Sequence, residues 1–328
     1  MRSQTIQHPI LDCKIETPLL IPSFSSKAVK AVTPAGLELQ LKRLFRQFAY
    51  QFSEAFLVSA FDFSEGYIPK ITADEFDSVV FLDSGGYETS TLEDLSEVYQ
   101  SFPPKNNWDD AKLAKVLKHW PNDLPTVFVN YDSGNLRLRL EDQIYYAIEQ
   151  KKHHPSQWWS FLIKPEHHKV MVDSAIRKIP SIAHPLSSFD IIGVTEKELG
   201  ESAFDRIKNV SQLRKTLDES GVTAPIHVFG SLDPTTVRLY FLAGAEIFDG
   251  LSWLRFAFHN DGCGYLNEEA FKIAPFDYDD DAREAVFARN VIQMHSLQAD
   301  MRKAAAENDP TLVVQSPQLK KLLDRALK

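Results

Sequence analysis

The stretch PIHVFGSLDPTTVRLYFLAGAEIFDG, residues 225–250, decides the fold. It opens and closes on short apolar runs, IHVFG (226–230) and EIFDG (246–250). Between them lies DPTTVRLYFLAG (233–244), which starts on Asp-Pro and stops on Gly244. Those are helix boundary signals: a capping carboxylate, a proline in the first turn, and a glycine where the chain leaves the helix. Strand, helix, strand in so short a span reads as a βαβ unit with parallel strands.

The alternation recurs along the chain. Strand-like runs stand at 18–24, 55–61, 79–83, 126–132, 159–164 and 189–194, before the two just quoted. They are apolar with little polar alternation, as in parallel strands buried on both faces. Helical patterns fall at 33–52, 107–120, 140–152, 168–179 and 205–220. Eight strands with helices between them predict a (β/α)8 TIM barrel, whose usual size is about 250 residues. An open doubly wound sheet is the structural alternative; it would ordinarily carry a glycine-rich phosphate loop, and no GxGxxG or GxxxxGK[ST] pattern occurs. After residue 275 the pattern changes to an acidic run (276–281), one long helix (282–308) and a short terminal helix. We therefore expect a catalytic barrel over 1–275 and a helical extension over 276–328.

Bulk properties set limits. The 328 residues carry a net charge of −9, so the average surface repels phosphate. A nucleic-acid partner would need a local basic patch. Candidates are LKRLFR (41–46), LRLRL (136–140), KKHH (151–154) and the tail KKLLDRALK (320–328), each of which also reads as a solvated helix face. No run reaches the ~20 apolar residues of a membrane span. The first 16 residues lack the apolar core of a signal peptide. Cys13 and Cys263 are the only cysteines, which excludes a disulfide framework and a multi-cysteine zinc site. A cytoplasmic location is the expectation.

In a TIM barrel, the chemistry lies at the C-terminal strand ends. VVFLDSGGYETS (79–90) shows an apolar strand stopping on Asp83, then Ser84, Gly85, Gly86 and Tyr87. The fourth strand ends on Asp132, the fifth on Lys164, the sixth near Gly193, the seventh on Phe229 and Gly230, the eighth on Asp249. One such aspartate commonly caps a helix. Three at separate strand ends suggest chemistry at a glycosidic carbon. One carboxylate can attack, a second can transfer a proton, and a third can accept from the N–H edge of guanine. Tyr87 and Phe229 could bracket a flat base, although core packing is the commoner fate of such rings.

Three segments together resemble the tRNA-guanine transglycosylases and their relatives acting on DNA. They are TPLLIPSFSSKAVKAVTP (17–34), FLDSGGYE (81–88) and residues 225–253, and the likeness runs from about residue 17 to 308. The resemblance implies that Asp249 is the nucleophile and Asp83 the general acid/base. Ser84, Gly85, Gly86, Tyr87, Asp132, Lys164, Gly193, Phe229 and Gly230 would then hold the base. Trp253, Arg255 and His259, just after the nucleophile, are expected at the polynucleotide; for Trp253, packing beneath the loop is the competing expectation. The family chemistry needs no cofactor. Its partners would be tRNA or DNA and a 7-deazaguanine base, with a homodimer or a partner subunit also implied.

The chain departs from that family at several points. Glu88 and Lys164 stand where glutamines are usual, and Val194 replaces a glycine. The cysteine cluster of the family's zinc site is absent, and Arg289 stands near its expected histidine, so no metal is expected. His295 lies on the same predicted helix. Two other readings compete. One is a non-catalytic or nucleic-acid-binding subunit of a base-modification complex. The other is an unrelated barrel hydrolase using the same two carboxylates on a sugar.

Overall fold

A computed structural model of the chain describes residues 1–28, 34–90, 95, 107–131, 137–166 and 173–328. It contains a closed barrel of eight parallel strands: β1 (Leu19–Phe24), β2 (Ala55–Ser59), β3 (Val79–Asp83), β4 (Thr126–Val129), β5 (Trp158–Leu162), β6 (Ile191–Thr195), β7 (Ile226–Phe229) and β8 (Ile247–Gly250). Each strand pairs with its sequence neighbour, and β8 closes on β1 with Asp249 opposite Ile21. Helices connect the strands, so this is a (β/α)8 TIM barrel with C-terminal helices.

The two-residue period of a strand divides the core into two layers. Leu19, Ile21, Leu57, Phe81, Val127, Trp158, Ile191, Phe229 and Ile247 point into the barrel. Their neighbours Leu20, Phe24, Phe56, Val58, Val80, Leu82, Phe128 and Phe248 point outward and share one cluster with the helices. Near the C-terminal end several inward rows turn polar, at Ser23, Asp83, Thr195 and Asp249. These four line a common cavity.

The opposite end of the barrel is closed by a hairpin, Thr5–Gln7 against Lys14–Glu16. Ile15 enters the inner core, and the Trp158 indole donates to the Gln7 carbonyl at 3.0 Å. Beneath β8, Glu246 is fully buried and accepts from Gln4 at 2.8 Å.

The C-terminal helices pack on the barrel. The long helix, Asp279–Glu307, begins three residues before the expected 282. Asp279, Asp280 and Asp281 thus form its first turn, where negative charge favours the helix dipole. Asn290 pins the helix beneath the barrel loop: its side chain donates to the carbonyls of Trp253 and Phe256 and accepts from the Phe258 N–H, all at 2.7 Å. The N-terminal hairpin and the short helices Ala60–Ser64, Gly86–Thr89 and Glu196–Leu199 were not expected from the sequence, and two further elements were not either. One is a second hairpin, β9 (Phe256–His259) with β10 (Gly262–Tyr265); the other is the helix Leu266–Ile273. The helix expected over 168–179 is described only from residue 173, as two pieces, Asp173–Ile176 and Ile179–Leu186. No helix among the described residues is long and apolar enough to cross a membrane.

Candidate active site

The mouth of the barrel holds a cavity of about 100 Å3. Seven residues singled out from the sequence line it: Asp83, Gly86, Tyr87, Lys164, Phe229, Gly230 and Asp249. Asp249 is the most firmly held. Its Oδ2 accepts from the Ser23 hydroxyl at 2.8 Å. Its Oδ1 faces His227 Nε2 at 3.0 Å and accepts from the Gly230 N–H at 3.3 Å. The carboxylate is 6% exposed, and among the described residues no lysine or arginine pairs with it. Donors of this kind fix a carboxylate without cancelling its charge, as a nucleophile requires.

Asp83 ends β3 on the same cavity and is partly exposed; its Oδ2 accepts from the Gly85 N–H at 3.2 Å. Tyr87 follows in a short helix, Gly86–Thr89. One face of its ring carries the Lys27 ammonium at 4.1 Å, and its hydroxyl accepts from Arg255 at 3.4 Å. Phe229 stacks on His227 with ring centroids 3.7 Å apart. Gly193 makes room for it, because a Cβ there would lie 2.6 Å from Phe229 Cε2. Gly230 has a φ of +81°, a conformation that glycine adopts without strain, and this aims its N–H at Asp249.

Charged groups ring the mouth. Lys164 pairs with Glu198 at 3.4 Å, Arg137 pairs with Glu198 at 2.6 Å, and Thr195 donates to the same carboxylate. Burial opposes ionisation of Glu198, but Lys164, Arg137 and Thr195 outweigh it and hold the carboxyl below its ordinary pKa. Behind Asp83 lies a second acidic group. Glu88 accepts from Ser25 at 2.6 Å and from Ser59 at 2.7 Å. Asp62 accepts from the Ser26 N–H at 2.7 Å, while its other oxygen is buried without a partner among the described residues. Burial first, then the charges of Glu88 and Asp83, push Asp62 well above the ordinary carboxylate range.

The remaining expectations fare differently. Asp132 lies outside the described residues. Ser84 is fully buried behind the cavity, with its carbonyl accepting from the Trp108 indole at 2.8 Å. Gly85 contributes its N–H to Asp83, and Gly193 acts on the cavity through Phe229. Trp253 meets one of its two expectations, packing beneath the loop, and not the other, the nucleotide contact. It is 0% exposed, packs edge-on against Phe24, Phe48, Phe52 and Phe287, and donates to the Ser23 carbonyl, so its ring has no face to offer a nucleotide. Arg255 is 4% exposed and donates to the Tyr87 hydroxyl from within the protein. His259 lines a separate cavity, where its Nδ1 accepts from Arg289 at 3.2 Å. Arg289 also bonds Glu269 at 3.1 Å, and His295 is exposed.

Three of the basic clusters are matched by acids: in 136–140, Arg137 meets Glu198 and Arg139 meets Asp142. Arg43 meets Asp281 and Glu284, Lys151 meets Asp190, and Lys152 meets Glu149.

No family model and no curated protein matches the chain. The site therefore stands on its own residues. Sequence reasoning missed Ser23 and His227, the two side chains that hold Asp249. A signal existed for both. His227 lies two residues before Phe229 in an apolar strand, and Ser23 lies two after Ile21, so a period of two puts each on the inner face.

Proposed function

We propose that this chain is a nucleic-acid guanine transglycosylase that exchanges guanine for a 7-deazaguanine base in tRNA or DNA. One observation carries the reading. Asp249 and Asp83, from strand ends far apart in the sequence, line a single cavity that Phe229 and Tyr87 also line. The resemblance of residues 81–88 and 225–253 to the transglycosylases supports the same roles.

In this reading the Asp249 carboxylate attacks C1′ of the target nucleotide. The bond from C1′ to guanine breaks with its electron pair moving to the base, and Asp83 in its acid form supplies the proton. A glycosyl-enzyme ester remains. The incoming 7-deazaguanine gives a proton to Asp83 and bonds C1′ through its ring nitrogen. The ester electron pair then returns to Asp249. Tyr87 and Phe229 flank the plane of the base, and Lys164 stands at the edge of the slot.

The test is base exchange by the purified chain, using labelled guanine on tRNA and on duplex DNA, each with and without 7-cyano-7-deazaguanine. Label entering one polymer, and being displaced by the deazaguanine, is the expected result. Absence of exchange in both polymers overturns the reading. Release of free sugar without base incorporation would instead mark a glycoside hydrolase using the same carboxylates.

A further inference from the structure

We infer that His227 is the positioning residue for Asp249, holding Oδ1 from the β7 side so that Oδ2 is the oxygen that attacks. This rests on the transglycosylase reading of the site and extends it to a residue outside the assigned roles.

The geometry separates the two carboxylate oxygens. Oδ1 faces two donors from the β7 end, His227 Nε2 at 3.0 Å and the Gly230 N–H at 3.3 Å. Neither can turn away easily. His227 is 0% exposed, clamped by Phe229 stacked at 3.7 Å and by the edge of Phe81 at 5.7 Å. The Gly230 donor belongs to the backbone. Oδ2 instead accepts from the Ser23 hydroxyl at 2.8 Å, a donor that can rotate. Each carboxylate oxygen carries two lone pairs; among the described residues two donors engage Oδ1, whereas Oδ2 accepts one and keeps a lone pair for the new bond.

The same contacts settle the imidazole tautomer. An ionised carboxylate only accepts, so Nε2 carries the proton that points at Asp249. Nδ1 is buried with no hydrogen-bond partner among the described residues, so a second ring proton would have no acceptor there. His227 is thus set as a one-sided donor through Nε2.

Such a donor acts unequally on the two half-reactions. In the first, Asp249 passes from carboxylate to ester, and the bond from His227 to Oδ1 weakens as charge leaves. In the second, the C1′–Oδ2 bond breaks, its electron pair returns to the carboxylate, and the bond to His227 strengthens. His227 therefore speeds breakdown of the glycosyl-enzyme more than its formation. Loss of the donor should make the covalent adduct accumulate.

The experiment compares the wild-type chain with His227→Phe, His227→Gln and His227→Asn in single-turnover assays on the polymer that supports exchange. Adduct formation and breakdown are measured separately. His227→Phe keeps the ring and loses the donor, and breakdown is expected to slow by about 10- to 100-fold relative to formation. His227→Gln puts an amide N–H near the Nε2 position and should restore the ratio. His227→Asn reaches only the Nδ1 position and should not. A merely structural histidine would lower both rates together, without rescue by Gln. An unchanged ratio in a folded His227→Phe chain, or equal rescue by Asn, overturns the inference.

Nitrogen-15 spectra of the histidines give a readout independent of catalysis. A His227 ring protonated at Nε2, with bare Nδ1 and a signal that moves in Asp249→Asn, supports the pairing. A ring protonated at Nδ1 or insensitive to Asp249→Asn overturns it. If the wild-type chain exchanges no base on either polymer, the transglycosylase reading fails, and these spectra alone decide the pairing.

Discussion

Two buried carboxylates stand at opposite ends of one strand. Glu246 precedes β8 at the closed end of the barrel, and Asp249 lies three residues later at the open end. Both are nearly inaccessible, at 0% and 6% exposure. Their surroundings differ in kind. Glu246 has Arg2 and Arg214 each at 3.8 Å, accepts from Gln4 at 2.8 Å and from the Ile226 N–H at 3.3 Å, and belongs to the end that the N-terminal hairpin covers. Asp249 has a hydroxyl, an imidazole and a backbone N–H, and it faces a cavity. A carboxylate beside cations and under a lid serves the fold. One held without a lysine or arginine beside it, and facing open space, is available for chemistry.

The largest expected effect breaks this contrast at its reactive end. Asp249→Asn should abolish the covalent adduct and lower base exchange by about 10^4-fold or more, while the thermal midpoint stays within a few degrees of wild type. Trapping of adduct by the variant on denaturing gels would show that another group attacks.

Gly193→Ala sharpens the contrast by disturbing only the wall beside Asp249. The new methyl would fall 2.6 Å from Phe229, so the ring must shift and crowd His227. We expect about 1–3 kcal/mol of destabilisation from overpacking and a higher KM for the incoming base. Calorimetry and steady-state kinetics check both.

The smallest effect belongs to the closed end. Burial pushes the Glu246 carboxyl above its ordinary pKa, outweighing Arg2 and Arg214, which lower it. The folded chain then holds this proton more tightly than the unfolded chain does. Its contribution to stability is complete below the ordinary carboxylate pKa and is lost as pH rises through the raised one. Glu246→Gln removes that loss. The thermal midpoint of the variant relative to wild type should therefore climb from pH 4 to pH 8, by about 2 °C, with base exchange unchanged. A flat or falling difference would contradict this account of the closed end.

Much of the barrel was legible because parallel strands buried on both faces leave apolar runs, and capped helices leave boundary residues between them. Asp83 and Asp249 were legible because each follows such a run directly. Trp253 was left between two readings for a related reason. A tryptophan in a loop just after Asp249 reads equally as a nucleotide contact or as core, and only the rings of Phe24, Phe48, Phe52 and Phe287 around it decide. The hairpin of β9 and β10 was missed because its second strand, Gly262–Tyr265, holds two glycines and none of the β-branched residues that mark strands.

By itself the sequence determined the order of strands and helices in the barrel and the kind of side chain each strand end supplies, because these depend on neighbours in the chain. Only the tertiary structure decided that Ser23, His227 and Gly230 converge on Asp249, and that Glu246 on the same strand meets two arginines instead. The reason is barrel closure. It sets β8 between β7 and β1, so partners 226 and 22 positions from Asp249 reach it from either side.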